Sequence, residues 1–382
     1  MQLLFVHDFP AEKYKSNYYS IGFSYKIWER YLNVFETMLI NSRVKEVSQN
    51  KNKNKNQSNG IGVTFETINE YKTPKSLIRN HKEIINKLTI SIKKSEGVLI
   101  RLPSVLGFIA ANICMKLNKP YMVEVVGAAF DAYWYHGSIF GKFLSLPMEM
   151  LQKQAVKNAS TAIYVTKNYL SNKYQCKGKE FTGVSNIQKI SSSCKNLEVN
   201  KNIKIGLIGS AFVDYKGHDV AIKAVSKLIK QGFDISLEFV GDGPNKKFLN
   251  MARKLQISNN VVFKGKIYNK KLLNEWFSSL DIYIQPSLTE GHCRAIVEAI
   301  GNGVPTLASS AGGNEDSVDE KYLFKAKDYK ALASLLEKSI NSKKYRYNNV
   351  KDNFAHIKEY EVHLIQRKRE EALQYYKNIL LK

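Results

Sequence analysis

The stretch Ile203 to Val240, IKIGLIGSAFVDYKGHDVAIKAVSKLIKQGFDISLEFV, holds a strand, a turn, a helix and a second strand in sequence. The apolar run Ile203 to Ile208 reads as a buried strand and stops at Gly209. Beyond the turn, Val220, Ala224, Val225, Leu228 and Ile229 recur at the spacing of a helix packed on a sheet. Ser236 to Val240 is the second strand, and two strands joined through a helix pair in parallel. The rhythm continues through Val261 to Phe263, Asp281 to Ile284 and Thr306 to Ala308. It also precedes this stretch, in Leu3 to Val6, Gly97 to Leu102, Tyr121 to Val126 and Ala162 to Val165. Strand and helix alternation of this kind predicts an α/β chain of two doubly wound domains with parallel sheets. Residues 1–190 form the first domain and 203–357 the second, with the polar stretch Gln188 to Asn202 as linker. The remainder, 358–382, carries a terminal helix of roughly Glu359 to Leu380 that is expected to pack back on the first domain.

Composition limits what such a chain does. Its 382 residues, 44% of them hydrophobic, suffice for two domains with their own cores. Lys and Arg exceed Asp and Glu by 24, with +14 in residues 1–200 and +10 in 201–382, so the excess is a property of the whole surface. It points to an anionic partner: nucleic acid, an acidic membrane leaflet or phosphorylated small molecules. Its low-complexity focus, Ser48 to Asn59 (SQNKNKNKNQSN), reads as a solvated insertion or a headgroup contact. The start, MQLLFVHDFP, lacks the basic and long apolar regions of a secretory signal and reads as a buried strand. Ser104 to Met115 is too short for the roughly 20 residues that span a bilayer and reads as a buried helix. Cys114, Cys176, Cys194 and Cys293 form no C-x-x-C pair and have no histidine at zinc-site spacing, which predicts a reduced, cytoplasmic chain without structural metal.

In open parallel sheets ligands bind beyond the carboxyl ends of the strands. One such segment is Gln285 to Asp316, QPSLTEGHCRAIVEAIGNGVPTLASSAGGNED. Glu290 stands just ahead of a helix that begins near Cys293, and Glu298 in that helix's second turn. Free N–H groups at a helix start favour bound anions and hydroxyls. Two carboxylates so placed suit a polyhydroxylated anionic ligand; alternatively, Glu290 caps the helix and Glu298 faces water. The turn after Ile208 carries Gly209, Ser210 and the run Asp214 to Asp219, DYKGHD, whose Lys216 can serve a diphosphate as a point charge.

The whole string resembles the signature of family-4 retaining glycosyltransferases of the GT-B fold. Pro286, Ser287, Glu290, Gly291, Glu298, Ala299, Gly303, Pro305, Gly312, Gly313 and Glu315 match its fixed positions. The K-G-x-D step at Lys216, the VGDGP turn with Gly241, and the FKGKI turn with Gly265 and Lys266 follow in the same order. The resemblance covers residues 203 to 340. It implies two Rossmann-like domains facing across a cleft, with a nucleotide-sugar donor held by the second. Glu290 would contact the donor sugar, Glu298 the ribose hydroxyls and Lys216 the diphosphate. Gly209, Ser210, Gly291, His292, Cys293 and Arg294 would line the same site, and no metal or cofactor is implied. Ser210 stands near the position where the family usually has an arginine, and Arg294 is the candidate to supply the missing charge.

The acceptor, a glycan or lipid-linked glycan, falls to the first domain. Its candidates are Gly22 in the Asn17 to Tyr25 segment, Asp131 and His136 after the YMVEVV strand, and Arg101. Trp134 and Tyr135 read equally well as core, and Arg101 as the partner of an internal carboxylate. A non-catalytic nucleotide-sugar-binding subunit and a basic nucleic-acid binder are the competing functions. The second lacks any zinc-finger, RNP or GXXG element, so nucleic acid is not expected as a partner. The residual positive charge, including the basic C-terminal stretch, suits peripheral docking on the inner face of an anionic membrane.

Overall fold

The computed structural model describes residues 1–48, 55–69, 74–135, 138–187, 197–198 and 200–382. His136, half of the Ser48 to Asn59 insertion and most of the expected linker lie outside the described residues. The chain forms two compact units: one of Met1–Phe130, Leu146–Val184 and His363–Lys382, the other of Asp131–Ser145 and Ser185–Val362.

The elements begin with β1 (Gln2–Tyr14), β2 (Asn17–Ser20), α1 (Tyr25–Leu32), β3 (Thr37–Glu46), β4 (Asn56–Gln57), β5 (Val63–Asn69) and α2 (Pro74–Lys94). Next come β6 (Gly97–Leu102), α3 (Val105–Lys116), β7 (Met122–Val125), α4 (Ala129–Trp134), α5 (Ile139–Lys157), β8 (Thr161–Tyr164), α6 (Tyr169–Lys173) and β9 (Lys179–Phe181). The second series is β10 (Ile203–Ile208), α7 (His218–Lys230), β11 (Ile235–Val240), α8 (Lys246–Lys254), β12 (Val261–Gly265), α9 (Lys270–Ser279) and β13 (Ile282–Gln285). It closes with α10 (Arg294–Gly301), β14 (Thr306–Ser309), β15 (Leu323–Phe324), α11 (Tyr329–Asn341), α12 (Lys343–Ile357) and α13 (Val362–Leu380).

In the first unit β1 pairs in parallel with β3 on one side and β6 on the other, and the sheet extends through β7, β8 and β9. In the second, all six strands are parallel in the order β12-β11-β10-β13-β14-β15, so the order reverses between β10 and β13. Central strands of such sheets are covered on both faces and read as continuous apolar runs, as Leu3 to Val6, fully buried, illustrate. On α7 the periodic residues Val220, Ala224, Val225 and Leu228 are buried, as their spacing requires. No helix among the described residues is long and apolar enough to cross a membrane.

Several elements depart from the sequence reading. The first strand runs on to Tyr14, with a register shift between Val6 and Pro10, and its outer end folds back on β2 as an antiparallel ribbon. The interruption by His7, Asp8 and Pro10 hides this continuation, because a bulge breaks the two-residue period. Asn41 and Ser42 on β3 are buried polar residues and obscure that strand in the same way. The Lys- and Asn-rich stretch Asn341 to Asn353, which carries no helical signal in the sequence, lies largely in helix α12, and three of its polar residues are internal. Asn349 exchanges hydrogen bonds with the Thr306 backbone, Asn353 donates to the Thr306 carbonyl, and Arg346 donates to the carbonyls of Ser339 and Ile340.

The first unit buries a charge cluster. Arg101 and Glu124 are register partners on β6 and β7, and the Arg101 guanidinium donates to Glu124 at 2.9 Å. Arg101 is therefore half of an internal ion pair, which replaces the acceptor-binding expectation for it. Arg369 of α13 donates to the other carboxylate oxygen at 2.8 Å, and Tyr31 donates its hydroxyl at 3.1 Å. Burial alone would raise the Glu124 pKa; Arg101, Arg369 and Arg30 outweigh it and hold the carboxyl far below its ordinary range. A depressed carboxyl stabilises the fold above its unfolded pKa and loses that contribution as pH falls. Glu124→Gln leaves buried guanidinium groups uncompensated. Chemical denaturation at pH 7 is expected to show a loss of about 3–5 kcal/mol, narrowing as pH drops below 4.

Candidate functional site

The reversal between β10 and β13 is where a doubly wound sheet opens a crevice beyond its strand ends. Past β10 the chain makes a tight turn through Gly209 to Lys216; past β13 it runs from Pro286 to Cys293 and enters α10. These loops are locked together. The Leu288 N–H donates to the Tyr215 carbonyl at 2.7 Å. Gly217 has φ 75°, and a Cβ there would lie 2.0 Å from the Pro286 oxygen, so no other residue fits.

The lock brings Lys216 to Glu290. The ammonium donates to Glu290 Oε1 at 2.8 Å, with the two side chains only 20% and 9% exposed. That same oxygen accepts from Ser287 Oγ at 2.6 Å and from Gln285 Nε2 at 3.3 Å. A relay stands behind it: the Tyr283 hydroxyl donates to Gln285 Oε1 at 2.5 Å, and Gln285 Nε2 donates to Ser287 Oγ at 2.7 Å. Ser309 on β14 steadies the loop by donating to the Ser287 carbonyl at 2.5 Å, and the Gly313 N–H donates to the Glu290 carbonyl at 3.1 Å. Each hydroxyl in the row has its proton direction set, so the carboxylate is pre-oriented.

Burial alone would lower the Lys216 pKa, but the Glu290 carboxylate, with Cys293 and Tyr215, outweighs it and holds the group above the ordinary lysine range. Cys293 is the cap residue of α10, and its side chain makes no capping hydrogen bond. Burial, reinforced by Glu290, pushes its thiol up to about 12, so it is a neutral wall of the site and no nucleophile. The opposite wall is backbone. Gly241, φ 153°, places its Cα so close to the end of β10 that a Cβ would lie 2.1 Å from the Gly209 oxygen. Its N–H donates to the Gly265 carbonyl at 3.0 Å, so three strand ends meet without side chains between them.

The remaining candidates sort by position. Ser210 donates its hydroxyl to the Asp242 carbonyl and so ties its loop to the next turn. Arg294 is exposed on the first turn of α10, one turn before Glu298. His292 has Ser185 Oγ at 2.9 Å and Ser317 Oγ at 3.1 Å from its two ring nitrogens, and stands 4.4 Å from the Tyr360 ring, which is a positioning role. Gly291 is half-buried between it and Glu290. Lys266 is exposed, its ammonium over the Tyr268 ring. Asp131 accepts a hydrogen bond from Thr289 Oγ1 at 3.0 Å and thus belongs beside the Glu290 loop. Gly22 and Arg101 belong to the other compact unit, and Trp134 is 40% exposed and not core. The sequence reading had Ser287 only as a motif position and passed over Tyr283 and Gln285, which complete the relay. Its signal is present: three polar groups at two-residue spacing project from one face of a strand end.

Glu298 is half-buried, and burial raises its pKa, with Arg294 and Lys270 pulling the other way. A raised carboxyl binds protons more readily in the folded chain, so its contribution to stability declines as pH rises from the ordinary glutamate value through the folded one, and stays unfavourable above. Glu298→Gln is expected to leave the melting temperature at pH 7 unchanged or higher, with the difference from the native protein vanishing at pH 4.

Residues 191–354 match the family described as Glycosyl transferases group 1. Protein CapJ of Staphylococcus aureus is 68% identical over 380 residues, spanning 100% of this chain and 97% of CapJ. Among solved structures, Anabaena HepE in complex with UDP superposes with a TM-score of 0.68 at 16% identity, over 98% of this chain and 100% of HepE. HepE has also been solved with UDP-glucose. WaaG, a glycosyltransferase involved in lipopolysaccharide biosynthesis, superposes with a TM-score of 0.62 at 14% identity, over 98% and 99% of the two chains. The two-unit α/β architecture with parallel sheets is that of GT-B glycosyltransferases. With the family's own domain in its second unit and a near full-length relative at 68% identity, the chain belongs to the group 1 glycosyltransferases.

Proposed function

We propose that this glycosyltransferase is a retaining enzyme that moves a sugar from a nucleotide-sugar to a hydroxyl of a glycan or lipid-linked glycan, in polysaccharide biosynthesis. The observation that carries the reading is the Lys216–Glu290 pair at the strand-order reversal, beside the uncapped start of α10. The nucleotide complexes of HepE and the pathway of WaaG support the donor class and the polysaccharide setting.

In this reading the donor's diphosphate takes the place of Glu290 as the partner of Lys216. The ammonium and the α10 N–H groups then neutralise charge as the bond from the anomeric carbon to the diphosphate oxygen breaks. Glu290, released, orients the sugar and stabilises positive charge at that carbon through the carboxylate that Ser287 and Gln285 hold. The acceptor hydroxyl attacks from the face the diphosphate leaves, passing its proton to the departing oxygen. Glu298 accepts from the ribose hydroxyls, and Arg294 adds the cation that Ser210 does not. Asp131, tied to Thr289, stands on the acceptor side. Protein groups supply all the charge needed, without metal. The surplus of 24 positive charges suits work against an anionic membrane, where lipid-linked acceptors reside.

Nucleotide release and thermal stabilisation with a panel of UDP-, GDP- and ADP-sugars test this. One donor class is expected to bind and be turned over, unaffected by chelator. Glu290→Ala is expected to lower turnover by about a hundred- to a thousandfold, and Glu298→Gln to weaken donor affinity about tenfold or more. Binding without transfer would instead assign the chain as a nucleotide-sugar-binding subunit, and unchanged donor affinity in Arg294→Ala would remove Arg294 from the site.

A further inference from the structure

Helix α5 (Ile139–Lys157) joins the core through Ala155 and Val156 near its end, but elsewhere buries polar residues and leaves apolar ones in water. Helices on a globular surface turn apolar residues to the core and polar ones to water. Here the inward face carries Ser145, Glu149 and Gln152, all buried. Glu149 accepts from the Phe130 N–H at 3.0 Å and the Tyr174 hydroxyl at 2.6 Å, and Gln152 donates to the Gly127 carbonyl at 2.8 Å. These bonds fix the rotation of the helix. They leave Ile139, Phe143, Leu146 and Met150, spaced by four, three and four residues along one face, 76%, 77%, 64% and 70% exposed. Phe140 and Leu151 widen the stripe. Scattered apolar residues on a surface are ordinary, but a contiguous stripe marks a surface meant to be covered.

We propose that this face lies in the interface of an anionic lipid bilayer, with α5 parallel to the membrane plane. Lys142, Lys153 and Lys157 are exposed; at helical spacing Lys142 and Lys153 fall along one edge of the stripe and Lys157 ends it. Glu149, the helix's one acidic residue, points inward. An apolar face bordered by lysines is the pattern of an interfacial helix, in which ammonium groups reach lipid phosphates while the side chains beside them enter the acyl boundary. Trp134, in α4, has the Lys142 ammonium 5.7 Å from its ring and adds an aromatic group suited to the headgroup level. A second copy of the chain is the poorer occupant, because pairing two such faces would bring lysine edges against one another. The inference rests on the membrane reading above and names the surface that serves it.

The test is co-sedimentation of the full chain with phosphatidylcholine vesicles, with and without phosphatidylglycerol, at low salt. Native protein is expected to bind the anionic vesicles. Phe143→Ser with Leu146→Ser is expected to weaken partition roughly a hundredfold, about tenfold for each side chain. Lys142→Gln with Lys153→Gln is expected to cost roughly fivefold per lysine, on anionic vesicles only. Melting temperature and nucleotide release with soluble donor are expected to stay at native values, since these side chains face water. A second readout needs no substitution: brominated lipid is expected to quench Trp134, because Trp28 and Trp276 are buried. Native binding that survives both stripe substitutions would overturn the assignment of this surface while leaving the membrane reading intact. No vesicle binding by native protein would overturn both. A concentration-dependent dimer abolished by the same substitutions would give the face to a second copy.

Discussion

The ion pair between Lys216 and Glu290 joins the loops that follow β10 and β13, and each of its charges is too deeply placed to stand without the other. Seventy-four residues of chain separate them, and parallel pairing of the two strands makes them neighbours. The pair imposes its demands outward. Gly217 must be glycine because the loops touch backbone to backbone. Tyr283, Gln285 and Ser287 must be polar because one carboxylate oxygen receives several donors. Ser309, one strand further on, holds the carbonyl that this row would otherwise leave inside the sheet. In the proposed reading, the donor site thereby has its cation and its anion already in place before any ligand arrives.

The first unit solves a related problem with a different outcome. Glu124 sits on a central strand where water does not reach, and two guanidinium groups bind its two oxygens. Burying charges in this way gains little over an apolar core, but removing one member is costly. The arrangement therefore acts as a check on assembly. A cross-strand partner, Arg101, comes with the sheet itself, while Arg369 must be delivered by a helix from the far end of the chain. The two clusters differ in access: the Glu124 carboxylate is sealed, whereas Lys216 keeps a fifth of its side chain exposed.

Legibility in the sequence followed the strength of local signals. The second unit could be read almost strand by strand, because IKIGLI, SLEFV and DIYI are short apolar runs that end at Gly209, Gly241 and Gln285. The site was legible wherever spacing within one segment carried it, as for Glu290, Glu298 and the Lys-Gly step. Pairing between segments was not legible. Lys216 and Glu290 were each visible as candidates, but their contact depends on strand order, which no local pattern encodes. Arg101 illustrates the reverse difficulty: an arginine after an apolar run looks poised for a ligand until β7 supplies Glu124 as its neighbour. Helix α12 was hidden because most of its buried residues are polar, satisfied by hydrogen bonds that only the folded chain supplies, and the outer part of β1 because a bulge interrupts its alternation.

The return of α13 to the first unit has a consequence for biosynthesis. Every residue of the second unit precedes His363 in the chain, whereas the first unit is complete only when His363–Lys382 has been added. During translation the second unit is therefore the earlier to have all its parts. The nascent first unit must carry Glu124 without Arg369, and the N–H and carbonyl of Val98 without the Tyr376 hydroxyl that bonds both.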